Sequence, residues 1–263
     1  MERNDLLLSY RELAGLRDRF QAGGDKITLG SYLAGEQYGA ERAPRMLVVG
    51  RALNGWLDTF CDRDAKTTLA LWETQEKTGV PMPYRTVWDA AAKAYVPAPV
   101  SRCRGLGWVD TYLASGNGDR KRKTADTPFW RAARAAAERL LSLSPDEGDA
   151  FYRHIAWTNL FKACPARGGN PQGELWHRQI GVCREILKRE AEILMPTHIL
   201  VIARANTNDT TRENEWIAPF EPTLRTLAAQ GIRVVSMHRP EFRRWTEVEK
   251  ELDTLLTPVQ AGT

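Results

Sequence analysis

Apolar and polar positions alternate along the chain in blocks that change period from helix to strand and back. Between residues 4 and 21, Leu6, Leu7, Leu8, Leu13, Leu16 and Phe20 recur at helical spacing before Gly23-Gly24. This predicts an amphipathic helix and its stop. Pro44 to Gly50 contains the apolar run Met46-Leu47-Val48-Val49 and closes on glycine, the pattern of a buried strand feeding a loop. Residues 51–126 are irregular and rich in Gly, Pro, Trp and charge. Thr127-Pro128 then predicts a cap and first-turn proline for an Ala-rich helix reaching about Leu143.

The remainder alternates regularly. A second strand is predicted from about His154 to Phe161, then a helix from about Gly173 to Leu194 that stops before Pro196. A purely apolar third strand covers Ile199 to Ala203. A helix from about Pro222 to Gln230 ends at Gly231, which suits a left-handed C-cap. A fourth strand, Ile232 to Met237, precedes a terminal helix from about Thr246 to Leu256. The pattern predicts an α/β fold: three α/β/α layers around a central four-stranded parallel sheet. Ligands of such sheets bind outside the carboxyl ends of the strands. The segments to question for chemistry therefore begin at Gly50, Asn159, Ala203 and His238.

Composition narrows the class. With 263 residues and 43% hydrophobic content, residues 1–263 suit one domain with an elaborated insertion at about 63–152. No run approaches the roughly 18 apolar residues of a membrane span. Met1-Glu2-Arg3-Asn4-Asp5 gives no cationic lead into an apolar run, so no membrane and a cytoplasmic location are expected. The four cysteines, Cys61, Cys103, Cys164 and Cys183, form no CxxC pair and read as free thiols. A net charge of +4 permits a polyanionic partner without demanding one. No GxxxxGK[ST] or GxGxxG loop is present, which disfavours a nucleotide hydrolase.

The strand ends carry the candidate chemistry. After the first strand comes Gly50-Arg51-Ala52-Leu53-Asn54-Gly55-Trp56-Leu57-Asp58-Thr59-Phe60, where glycine permits a tight turn and close backbone approach. The second strand ends on Asn159, whose amide either bonds to backbone or reads the edge of a planar base. The fourth ends on His238-Arg239-Pro240-Glu241-Phe242-Arg243-Arg244: a histidine, a proline-stiffened turn, an exposed-looking Phe and arginines suited to phosphates. Arg120-Lys121-Arg122-Lys123, in a Gly-rich loop, is either a solvated charge run or a phosphate-holding one.

Together these segments resemble the uracil-DNA glycosylase superfamily. The stretch Gly50 to Gly55 sits where its first motif lies. Ile155-Ala156-Trp157-Thr158-Asn159-Leu160-Phe161-Lys162-Ala163-Cys164-Pro165, with Asn170-Pro171, Glu174 and Cys183, is similar to the Asn-bearing strand of the thermostable bacterial and archaeal branches. The His238-Arg239-Pro240-Glu241-Phe242 turn resembles the third motif, and the likeness covers residues 44–62 and 153–245. Two departures stand out: Ala52 replaces the usual activating carboxylate, and Arg239 replaces a proline.

The resemblance implies a monofunctional DNA glycosylase that flips a damaged or modified base and hydrolyses its N-glycosidic bond. Trp56 or Phe60 would stack on the base and Asn159 would read its polar edge, with Arg51 and Ala52 close by. His238 would bond the base oxygen as charge builds, the logic of an oxyanion hole. Asp58 or Asn54 would orient water or stabilise the sugar cation. Phe242 or Arg243 would fill the vacated stack, while Arg120, Lys121, Arg122, Lys123, Arg239, Arg243 and Arg244 would meet DNA. The long cation at Arg51 points to a modified base, such as a glycosylated pyrimidine of phage DNA, and so to antiviral defence. The alternative is a non-catalytic DNA-binding module on the same fold. No obligate protein partner is evident, and no cofactor is expected. The thermostable branches hold an iron–sulfur cluster, but here Cys61 and Cys103 would have to join Cys164 and Cys183 from an unrelated spacing, and a cluster needs four thiolates.

Overall fold

The computed structural model describes residues 44–52, 106–110, 124–165, 170–204 and 216–257, together with parts of 9–39 and the strand backbone of 86–89 and 94–97. Its strands are β1 (Ile27–Leu29), β2 (Leu33–Ala34), β3 (Met46–Ala52), β4 (Thr86–Asp89), β5 (Ala94–Pro97), β6 (Ile155–Phe161), β7 (Ala163–Pro165), β8 (His198–Arg204) and β9 (Arg233–His238). The labelled helices are α1 (Pro128–Leu141), α2 (Pro145–Asp149), α3 (Gly173–Leu194), α4 (Glu221–Ala229) and α5 (Trp245–Leu256).

The central sheet runs in the order β2-β6-β3-β8-β9. Strands β6, β3, β8 and β9 are mutually parallel, giving the expected four-stranded parallel core, and β2 adds an antiparallel edge beside β6. Each central strand is buried on both faces, so its side chains divide between two cores by alternation. Leu47, Val49, Ile199 and Val201 pack with α3 and α4 on one face. Met46, Val48, Leu200 and Ile202 pack with α1 and α5 on the other.

The segment from 124 to 152 is more than decoration. It supplies α1, whose Trp130, Ala132, Ala133, Ala136 and Ala137 are buried against the sheet. The predicted insertion therefore closes with a structural layer of the domain. Thr127 stands at the N-cap of that helix with Pro128 in its first turn, as expected, but makes no side-chain cap, because its hydroxyl donates to the Thr124 carbonyl at 2.8 Å. Gly231 closes α4 with φ at 88°, the left-handed backbone its position demanded.

Two strand pairings escape the sequence pattern. The short β7 pairs antiparallel with β1, placing Ile27 opposite Pro165, and β4 pairs with β5 in a separate ribbon. Gln179 of α3 fastens β7 from behind: its amide oxygen accepts from the Ala163 N–H and its amide nitrogen donates to the Ala163 carbonyl, both at 2.9 Å.

Beneath the end of β6 lies a fully buried ion pair. Lys162 (1% exposed) donates to Glu190 Oε2 (0% exposed) at 2.7 Å, and the Thr158 hydroxyl donates to the same oxygen at 2.8 Å. Lys162 also donates to the Thr158 hydroxyl. Among the described residues no helix is long and apolar enough to cross a membrane.

Candidate functional site at the carboxyl edge of the sheet

Parallel register brings the predicted turns to one edge. Gly50 stands opposite both Asn159 and Ile202, Ala52 opposite Phe161, and Arg204 opposite His238. Asn159 and His238 are thus three strands apart, roughly 14 Å at the usual strand spacing, with Arg51 on the strand beside Asn159.

Arg51 is where segments distant in sequence meet. Strand β3 continues through Arg51 to Ala52, so no turn occurs at Gly50, and Arg51 projects to the α3–α4 face. Its guanidinium lies 4.3 Å from the centre of the Trp216 ring, a cation–π contact. Trp216 belongs to an aromatic cluster: Trp176 stands edge-on at 4.3 Å, and Phe161 stacks on Trp176 at 4.1 Å. Burial, and secondarily the nearby Arg239, push the Arg51 pKa down to about 10, while Glu241 and Cys164 oppose the shift. A side chain on β3 therefore senses the turn after β9 directly. Ala52 is partly buried against the same core and offers no chemistry of its own.

Asn159 points to the opposite face. It is 2% exposed, and its Nδ2 has no hydrogen-bond partner among the described residues. A Cβ on residue 50 would fall under 3.0 Å from Asn159 Oδ1 and 3.5 Å from the Phe129 ring. Close approach, rather than a turn, is what requires glycine there. A buried amide N–H group left unpaired costs about 1–3 kcal/mol, so such a group calls for a partner, whether ordered water or a ligand.

His238 is held by α5. Its Nδ1 lies 2.9 Å from Glu251 Oε1, and its backbone N–H donates to the same oxygen at 3.0 Å. Arg243 donates to the other carboxylate oxygen. Burial alone would raise the Glu251 pKa, but the His238 N–H, Arg243 and the His238 ring together hold it below its ordinary value. The turn that follows is tight, with Pro240 buried and the Arg243 N–H reaching the Pro240 carbonyl at 3.3 Å.

Phe242 stands out from this turn at 102% relative exposure, with φ at 67°. The arginines around it differ from their expected roles. Arg239 pairs with Glu241 at 3.0 Å and Arg243 pairs with Glu251, so both charges are already met within the protein. Arg244, at the start of α5, is the exposed one.

Asn54, Trp56, Asp58, Phe60, Cys61, Cys103, Arg120, Lys121, Arg122 and Lys123 lie outside the described residues. Cys164 and Cys183 are buried in the core; Cys183 donates to Gln179 Oε1 at 3.4 Å. Burial pushes the Cys183 thiol up to about 12, so it resists forming the thiolate that metals and clusters require. Among the described residues no group of three or more His, Cys, Asp or Glu could hold a metal ion.

Glu251, Trp216, Glu241 and Phe129 are the site residues that sequence reasoning missed. Glu241 lies two residues from its partner Arg239, but only strand order and helix docking bring Glu251 to His238 and Trp216 to Arg51. No family model and no curated protein matches the chain.

Proposed function

We propose that this protein is a DNA glycosylase of uracil-DNA glycosylase-like arrangement, which draws a damaged or modified nucleotide into the carboxyl edge of its sheet and hydrolyses the N-glycosidic bond. The observation that carries this reading is Phe242, a large apolar side chain wholly in solvent four residues after His238. A nucleotide-flipping enzyme uses such a projection to occupy the gap left in the base stack, offsetting unstacking of a few kcal/mol.

The rest of the edge suits the same chemistry. The Asn159 amide nitrogen, buried and without a hydrogen-bond partner among the described residues, supports a role in reading a base edge once the edge opens to a nucleotide, and Arg51 and Arg244 favour a polyanion. His238 serves the departing base, and Asp58 or Asn54 acts on the sugar side. The cation at Arg51 favours a base bearing a polar substituent, as in modified phage DNA, and so a role in defence.

The test is formation of alkali-labile abasic sites in oligonucleotides carrying uracil, other altered bases or a glucosylated pyrimidine. Substituting His238 and Asp58 separately should abolish those sites while DNA binding persists. If both variants behave as wild type and no DNA yields abasic sites, the chain is a DNA-binding module.

A further inference from the structure

The carboxylate behind His238 changes what that histidine can do. A carboxylate accepts hydrogen bonds and cannot donate them, so the Nδ1 facing Glu251 Oε1 at 2.9 Å must carry a proton. The backbone N–H of His238 reaches the same oxygen at 3.0 Å, which sets the carboxylate against both the ring and the main chain of one residue. Arg243 occupies the other oxygen and stops the carboxylate from rotating away. These groups come from separate elements, the turn after β9 and the middle of α5, so the arrangement is built by the tertiary fold.

From this geometry, and resting on the glycosylase reading, we propose that Glu251 is a positioning residue that locks His238 in the Nδ1–H form, so that His238 assists base departure only as an imidazolium. With Nδ1–H committed to Glu251, a neutral His238 has a bare Nε2 and nothing to offer a base oxygen. Adding one proton at Nε2 makes that atom a donor, and Glu251 balances the positive charge. As the glycosidic C–N bond breaks, its electron pair stays on the base. The Nε2–H bond then supports the negative charge that grows on the base oxygen, the water that adds to the sugar supplies the hydroxyl of the abasic product, and the proton it releases neutralises the departed base.

Among the described residues the charged groups beside this unit are Glu251 and Arg243, with Arg204 opposite His238 on β8 and Arg239, paired to Glu241, next along the turn. Because Arg243 already neutralises part of the carboxylate, weakening that pair should strengthen the hold of Glu251 on an imidazolium.

Two measurements test this. Imidazole 15N shifts of His238 in the intact wild-type protein at pH 8.5 should show the Nδ1–H form; an Nε2–H pattern overturns the proposal without reference to activity. In abasic-site assays on the uracil or glucosylated-pyrimidine oligonucleotide that wild type cleaves, Glu251→Gln should lower kcat about 10- to 100-fold with KM nearly unchanged. The alkaline limb of its pH–rate profile should move to lower pH. A loss that is equal at every pH indicates a purely structural role and rejects the proposal. If wild type cleaves none of these DNAs, the glycosylase reading fails, and the 15N pattern still decides whether Glu251 sets the tautomer.

Discussion

The side-chain oxygen of Asn159 occupies the space that a methyl group on residue 50 would need. The two residues face each other across parallel strands, and Phe129 closes the third side. Gly50→Ala should therefore push Asn159 off its position. The expected cost is about 1–3 kcal/mol in urea denaturation, typical of overpacking, with a larger loss in abasic-site formation. An active Gly50→Ala protein would show that the Asn159 amide does not need its present placement.

Arg51 offers a separation of stability from function. Its cation is partly buried, and burial and then Arg239 lower its pKa, yet its guanidinium lies over the Trp216 ring. Arg51→Met keeps an apolar side chain beside Trp216 and removes the charge, giving up the cation–π contact but also the burial of a cation. Thermal stability should hold or rise, while DNA affinity drops about tenfold or more and the salt dependence of binding flattens by about one unit of slope. Unchanged affinity across salt concentrations would remove Arg51 from the DNA-binding surface.

Phe242 makes a sharper pair of variants. Phe242→Ala touches nothing buried, so stability should stay within about 0.5 kcal/mol. Phe242→Gly relieves a left-handed backbone and should be equal or more stable, by up to about 1 kcal/mol. Both should lose more activity on duplex than on single-stranded substrate, because only a duplex leaves a stack to fill. Equal loss on the two substrates would deny the wedge role.

The sequence made the sheet legible because Val48-Val49 and Ile199 to Val201 are apolar on both faces, which only a covered parallel strand tolerates. It also exposed His238, Asn159 and Phe242, since each breaks the local pattern at a strand end. It hid whatever depends on docking. Glu251 reads as one more acidic residue on an amphipathic helix, and α1 reads as part of an insertion because the sheet it covers lies elsewhere in the chain. Arg239 and Arg243 looked like free cations because nothing in their spacing announces Glu241 and Glu251 as partners.

The buried pair beneath β6 predicts asymmetric mutational costs. Removing one partner, as in Glu190→Gln or Lys162→Met, strands the other charge without water and should cost about 3–5 kcal/mol. The double variant Lys162→Met/Glu190→Leu leaves no charge behind and should recover most of that loss. Denaturant midpoints for wild type, Lys162→Met, Glu190→Leu and the double variant close the cycle and give the coupling, and additive losses would show that the pair contributes independently of its charges.

Acid should loosen the His238 turn before it unfolds the core. Glu251 titrates below its ordinary value of 4.5 because the His238 N–H, Arg243 and the His238 ring favour its charged form more than burial opposes it. A carboxylate with a depressed folded-state pKa contributes stability that is fully present above the unfolded-state value. That contribution disappears as pH falls through the lower folded-state value. Wild type should therefore exceed Glu251→Gln in stability at pH 6, and the gap should narrow as the solution is taken toward pH 3. Arg243→Gln should show a smaller gap of the same sign, since it removes one of the groups that lower Glu251. Urea melts of the three proteins at both pH values decide the matter. A gap between wild type and Glu251→Gln that is constant with pH would mean that the clamp on His238 draws nothing from the charge of Glu251.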